Sequence, residues 1–306
     1  MNKLIMKTFI EKIIKLYKKN NEIPQLICHY SNIDSVLGIL NSNSFWASDI
    51  EYLNDKNEFK YSIDLISDRL MATLQYQLSK TTDKLRRTFY KTMIELMDRK
   101  EILNEYQIFV VSFSTKNDLL SQWRGYCPDN FGLSVGLSLK ENIYVVDKPE
   151  YSIYLLPCFY DKVEYDEIIQ ELIESFFNEL IANMEKYDIV KRDMSYFDII
   201  YNKYINKYLL VSSIIKDESF SEEDEWRLLV VTKIDTNSSN LNFRKGESLM
   251  IPYIEIPITD VCLEFSKIII GPTRYPVLSK KSLFQLTEKY NLNFEIINSK
   301  IPYRKC

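Results

Sequence analysis

The sequence predicts an α+β fold in one domain, 1–306, and three observations carry that expectation. Strand-like segments gather toward both ends of the chain, and long helical periodicities fill the middle. Neither an internal repeat nor a low-complexity linker divides them. With 306 residues, 46% hydrophobic and 27% charged, the chain can bury a large core and has an ordinary soluble composition.

Taken in order, residues 1–22 carry an amphipathic basic helix, "KLIMKTFIEKIIKLYKK". Leu4, Ile5, Phe9, Ile13, Leu16 and Tyr17 lie near one face, and six lysines accompany one glutamate between residues 1 and 19. Such a helix packs on its own chain with a solvated lysine face, or docks on a membrane surface or a partner protein. "QLICHYS" reads as a short strand. "SNIDSVLGIL" follows as a helix with Ser31 as N-cap and Asp34 close to a capping-box position. "SFWASD" is extended, and "LND" caps a long helix.

Residues 55–79 and 82–105 have helical periodicity, after which the period changes to two. "YQIFVVSFS" (106–114) is strand-like, and "FGLSVGLSL" (131–139) alternates strictly. Between them "DLLSQWRGYCPDN" has room for one helical turn and a loop, and "YLLPCFY" adds strand material. Helices at about 164–187 and 195–216 make 163–216 a helical insertion between β-containing stretches 26–162 and 217–304. The acidic run "DESFSEEDEWRLLVV" turns into a strand at Trp226, which alternation places in the core with Arg227 on the face of Glu225. "TNSSNLN" (236–242) is a surface loop; "LMIPYIEIPI", "KIIIGP" and "NFEIIN" are later strands, with a helix at 279–290.

Composition excludes several function classes. Only 6 glycines, with no GxGxxG or GxxxxGK[ST], leave Rossmann and P-loop chemistry without their phosphate cradle. A net charge of −4 argues against a generally basic nucleic-acid face. Cys28, Cys127, Cys158, Cys262 and Cys306 are scattered without CxxC spacing, as expected of thiols in a reducing cytoplasm, and no zinc cluster is spaced for a metal. No apolar run reaches transmembrane length. His29 is the sole histidine; beside Cys28 on a strand it faces the opposite way, and no G-x-S-x-G elbow offers it a triad.

Three stretches place polar and aromatic groups at loop–strand junctions, where binding residues are usually displayed. They are "HYSNIDSVLGIL…FWAS", "LLSQWRGY" and "FSEEDEWRLLV". The first resembles the opening motif of ADP-ribosyltransferase-like enzymes. "HYS", "FWASDIEYLND", "VSFS", "LLSQWRGY", "FSEEDEWRLL", "IPYIEIPI", "IIIGPT" and "SKIPYR" more narrowly resemble the bacterial family domain of unknown function 2971, from about residue 26 to 304. Cys127 stands where that family's SQWRGYG signature has its final glycine.

The resemblance implies an ADP-ribosyltransferase-like β core and an enzyme that consumes NAD without a metal. Such an enzyme cleaves the nicotinamide–ribose bond through an oxocarbenium-like state and passes ADP-ribose to a macromolecule or to water, in a toxin or anti-phage setting. Glu225 would be the catalytic carboxylate and Glu223 would position the acceptor. His29, Tyr30, Ser31, Trp46, Ser48, Gln122, Trp123, Arg124 and Tyr126 would contact NAD. The residues themselves leave alternatives open. Glu222–Glu225 also reads as a solvated acidic loop, His29 as a strand histidine satisfied by backbone, and Arg124 as an ion-pair partner of Glu223 or Glu225. The aromatics also read as core. From another class, a non-catalytic nucleotide-binding sensor engaging a partner through its helical face remains. One arrangement separates the two: the enzyme needs His29, Arg124 and Glu225 to line a single cleft.

Overall fold

The computed structural model describes residues 2–53, 56–98, 105–127, 132–139, 144–148, 151–184, 195–233, 240–246, 248–261 and 263–302. An eleven-stranded, curled mixed sheet carries helices around it, which is the α+β class the patterning predicts.

The sheet forks at its middle strand. β1 (Leu26–Asn32), β2 (Ser44–Asp49) and β3 (Tyr106–Ser114) meet there. One edge of β3 pairs along its whole length with β7 (Glu225–Lys233). The other edge is shared: β1 pairs with it at Ser114 and β2 at Phe109 and Val110. From β1 one wing continues through β4 (Gly132–Leu139) and β10 (Leu263–Ile270) to β11 (Glu295–Asn298). From β2 the other wing continues through β9 (Met250–Pro257) to β8 (Leu241–Lys245), while β7 leads to β6 (Ser152–Pro157) and β5 (Val145–Asp147). Only the β10–β11 pairing is parallel among the registered strand pairs.

The helix α2 (Ile33–Ser42) bridges the fork between β1 and β2. Its N-cap is Asn32 rather than Ser31, since β1 runs one residue further and holds Ser31 in register with Leu133. The Asn32 side chain accepts from the Ser35 N–H at 2.9 Å, and Asn43 closes the other end in the left-handed region. The "LND" cap expected before the next helix falls partly outside the described residues.

A group of long helices covers the sheet: α1 (Asn2–Tyr17), α3 (Lys56–Lys80), α4 (Lys84–Asp98), α6 (Lys162–Met184) and α7 (Ser195–Ser212). One apolar core runs through all five and the sheet, from Ile10 and Ile13 to Leu70, Met93, Leu172, Leu209 and Leu228. Each such side chain contributes roughly 1.5–3 kcal/mol on burial. α1 therefore belongs to the core. Phe9, Ile10, Ile13, Ile14 and Tyr17 are buried, and Lys12 and Lys19 pair with Glu171 and Glu167 of α6, so its apolar face is already occupied. The short α5 (Leu120–Tyr126) follows β3, and α8 (Pro276–Lys289) packs beside β11.

Three departures from the sequence reading have local causes. β8 forms at Leu241–Lys245, where a loop is expected, because β9 offers it an edge. β5 is three residues long, below what periodicity registers. α8 begins at Pro276, three residues early, with the proline in its first turn, where no N–H is needed. No described helix is long and apolar enough to cross a membrane.

Candidate functional site

The expected site residues gather at two places on the sheet. Cys28, Ser114 and Glu225 stand in one cross-strand row, so their side chains share a face of the sheet. His29 points the other way, with Phe113 and Phe45 against its ring at centroid distances of 5.8 and 6.4 Å. The single cleft lined by His29, Arg124 and Glu225 is not formed.

The first group lies at the mouth of β7. Asp224 adopts a left-handed conformation (φ 44°), accepts from the Thr115 hydroxyl, and pairs with Lys116 at 3.1 Å. That turn sends Glu223 and Glu225 toward a buried charge cluster. Lys216 Nζ donates to Glu223 Oε2 and Glu225 Oε2, both at 2.8 Å. Arg227 Nε donates to Glu225 Oε1 at 2.9 Å, its Nη2 to Oε2 at 3.2 Å, and its Nη1 to the Ser213 carbonyl at 2.6 Å. Burial alone would raise the Glu225 carboxyl, but the Arg227 and Lys216 charges outweigh it and hold the group down to about 2. Trp226 between them is fully buried on the other face, as alternation predicts. Glu225 is 6% exposed and both its oxygens are engaged.

Tyr126, at the end of α5 and 40% exposed, lies within electrostatic range of this cluster. Burial first, then the charges of Glu223 and Glu225, push its phenol well above the ordinary value. Two sequence-distant motifs, "SQWRGY" and "EEDEWR", thus come within electrostatic range of each other. The rest of the α5 motif serves packing. Trp123 and Tyr30 meet edge-on at 4.7 Å in a small core with Cys28, Cys127 and Ile269, 1% and 5% exposed, leaving no ring face for a ligand. Trp123 Nε1 donates to Asp118, and the Tyr30 hydroxyl donates to the Lys116 carbonyl. Gln122 is buried; Arg124 is exposed and is not among the partners of Glu223 and Glu225, which are Lys216 and Arg227. Ser31 lies half-buried in β1, its carbonyl facing the Cys127 thiol.

The second group borders the fork, His29 on one face with Phe45 and Phe113, and Ser48, Trp46 and Arg244 on the other. Between the pairings with β2 and β1, residues 111–113 of β3 have no registered strand partner on that edge. His29 Nδ1 takes up the Ser112 carbonyl there at 2.9 Å, which fixes the proton on Nδ1. Burial lowers the imidazole pKa; the Ser112 bond opposes this and the nearby Arg244 guanidinium adds to it, so the ring is neutral near pH 7. Arg244, from β8, donates to Ser48 Oγ at 2.9 Å. Its neighbour Tyr253 lies opposite Ser48 across β2–β9, and the Trp46 ring stacks on Tyr253 at 5.1 Å. The Trp46 indole N–H is buried without an acceptor among the described residues.

Arg244 is the unusual member. Desolvation lowers its guanidinium pKa, no carboxylate pairs with it among the described residues, and its hydrogen-bond partner is a neutral hydroxyl. A half-buried cation without a counter-ion is costly, and an anion would relieve that cost.

Sequence reasoning missed Lys216, Arg227's full role and Arg244. Lys216 has no motif signal, being brought in where the chain after α7 runs beside Phe159. Arg244 could be found only by reading "LNFRK" as a strand, which sets Asn242 and Arg244 on one face. Cys28, Cys127 and Cys158 are buried outside any disulfide, while Cys262 and Cys306 lie outside the described residues. Among the described residues no group of three or more His, Cys, Asp or Glu side chains could hold a metal ion.

No curated protein and no solved structure matches the chain. The family described as "Protein of unknown function (DUF2971)" matches residues 122–228, a stretch that opens within "SQWRGY" and closes just past "EEDEWR".

Proposed function

We propose that the protein is a non-catalytic nucleotide-binding module whose ligand engages the fork between β1 and β2. Arg244, half-buried and without a carboxylate partner among the described residues, carries this reading, because a phosphate supplies a counter-charge and accepts from the planar guanidinium. On its face of the sheet stand the Ser48 hydroxyl and the Trp46–Tyr253 pair, while His29 projects with Phe45 and Phe113 to the other face of the fork. The hydroxyl and the ring pair suit a ribose and a base. NAD and AMP are the probes. Both should raise the melting temperature of the full chain, Arg244→Ala should remove the shift, and no nicotinamide should be released from NAD. Absence of any shift at millimolar nucleotide would sink the proposal.

A second reading, NAD-consuming ADP-ribosyl transfer, is favoured by one observation. Glu225 is kept ionised beside Glu223 and Tyr126, the state in which a carboxylate accepts a ribose hydroxyl and stabilises an oxocarbenium-like charge. Its difficulty is access, since Lys216 and Arg227 occupy both oxygens. Nicotinamide release by the wild type that disappears in Glu225→Gln would move the assignment to this reading, with a macromolecule or water as acceptor.

A further inference from the structure

A cavity of about 620 Å³ opens at the end of β3 and β7, on the other side of the acidic turn from the Glu225 cluster. Its volume lies within the ~300–1,000 Å³ of small-molecule sites. The turn that sends Glu223 and Glu225 to the ion cluster leaves Glu222 and Asp224 lining this cavity, joined by Glu164 from α6 and Asp118 from the loop after β3. Lys116 is the one basic residue of the lining.

The carboxylates are not equally engaged. Asp118 is spent on Trp123, Ser299 and the Lys300 N–H, and Asp224 on Thr115 and Lys116. Glu164 accepts from Asn20 at 2.8 Å, which leaves acceptor capacity. Glu222 is exposed and has no partner among the described residues. Anionic ligands are therefore repelled, in contrast to the fork.

A second, independent feature points into the same space. Tyr17 lines the cavity at 6% exposure, its hydroxyl is approached by the Trp226 indole N–H, and the hydroxyl's own proton has no acceptor among the described residues. Burial pushes the Tyr17 phenol up to about 12, so at neutral pH it is a neutral group with a proton to donate. Tyr160 beside it accepts from the Glu225 N–H at 2.8 Å and retains its own proton, which ties the cavity wall to the first residue of β7.

We infer that this cavity is a binding site for a small organic cation, an amine or guanidinium compound that also accepts a hydrogen bond from Tyr17. Glu222 and Glu164 supply the counter-charge, and the Tyr17 hydroxyl sets the pose. The site is separate from the fork and does not depend on the nucleotide reading.

The test is calorimetric titration of the full chain with ethanolamine and diethanolamine, ammonium compounds whose hydroxyls accept a hydrogen bond, with mannitol as a neutral control and AMP as a competitor. At least one of the two amines should bind at one site, mannitol should not bind, and AMP should not compete. Glu222→Gln should weaken that binding about threefold, as an exposed ion pair does. Tyr17→Phe, which removes one oxygen and no charge, should weaken it about fivefold, the worth of one hydrogen bond. Unfolding midpoints confirm that both variants are folded. Equal affinity in wild type and Tyr17→Phe would mean that amines merely condense on an acidic surface and would overturn the site. Absence of amine binding at millimolar concentration overturns it equally.

Discussion

Replacing Glu225 with glutamine tests the charge cluster most directly. The substitution keeps shape but leaves Lys216, 2% exposed at its side chain, and Arg227, 8% exposed, without the carboxylate they share. Breaking a buried pair from one side costs about 3–5 kcal/mol. Linkage gives a similar figure. The Glu225 carboxyl falls from its ordinary 4.5 to about 2 on folding, and that difference corresponds to ~3 kcal/mol at neutral pH. A depressed folded pKa means the unfolded chain takes up the proton first. The stabilisation is therefore complete above 4.5 and is lost as pH falls toward 2. Urea unfolding of wild type and Glu225→Gln should differ by ~3 kcal/mol at pH 7, and the difference should shrink by roughly half at pH 3. A difference below ~1 kcal/mol at pH 7, or one that stays constant down to pH 3, would refute the claim that this carboxylate is ionised and locked.

Three other substitutions test the fork and the helix that bridges it. Arg244→Met should leave the melting temperature unchanged or raised while abolishing the nucleotide-induced shift, since it removes a desolvated cation that has no counter-ion among the described residues; a clear loss of stability would mean the guanidinium is already satisfied. His29→Phe should cost about 1–3 kcal/mol by orphaning the Ser112 carbonyl. Because burial lowers the His29 pKa below its ordinary 6.5, wild type should lose stability as pH falls below 6.5, and chemical denaturation of His29→Phe should show less of that loss. Gly38→Ala should cost about 1–3 kcal/mol, because the new methyl would sit 2.6 Å from the Trp46 ring; near-ultraviolet circular dichroism should report the displaced indole.

The placement of β1, β3, β4 and β7 was legible because each repeats apolar residues with a period its neighbours reinforce. The same alternation put Trp226 in the core and Arg227 beside Glu225 before any pairing was known. It also set Cys28 and His29 on opposite faces, and that local rule is what separates His29 from Glu225 once both strands flank β3. Motif reading gathered Glu223, Glu225 and Tyr126 into candidates and joined to them Tyr30, Gln122 and Trp123, which turn out to be packing residues.

Period, capping and charge are properties of neighbours along the chain, and these the sequence by itself determined: the α+β class, most element types, and the face each strand residue presents. Which strand lies beside which depends on contacts between distant segments, and no local pattern encodes it. The fork of the sheet at β3, the delivery of Lys216 to two glutamates, and the stranding of Arg244 beside Ser48 were decided only by tertiary structure. A lysine or arginine looks the same in a sequence whether it meets water, a carboxylate or a hydroxyl, and its energy depends on which one folding brings to it.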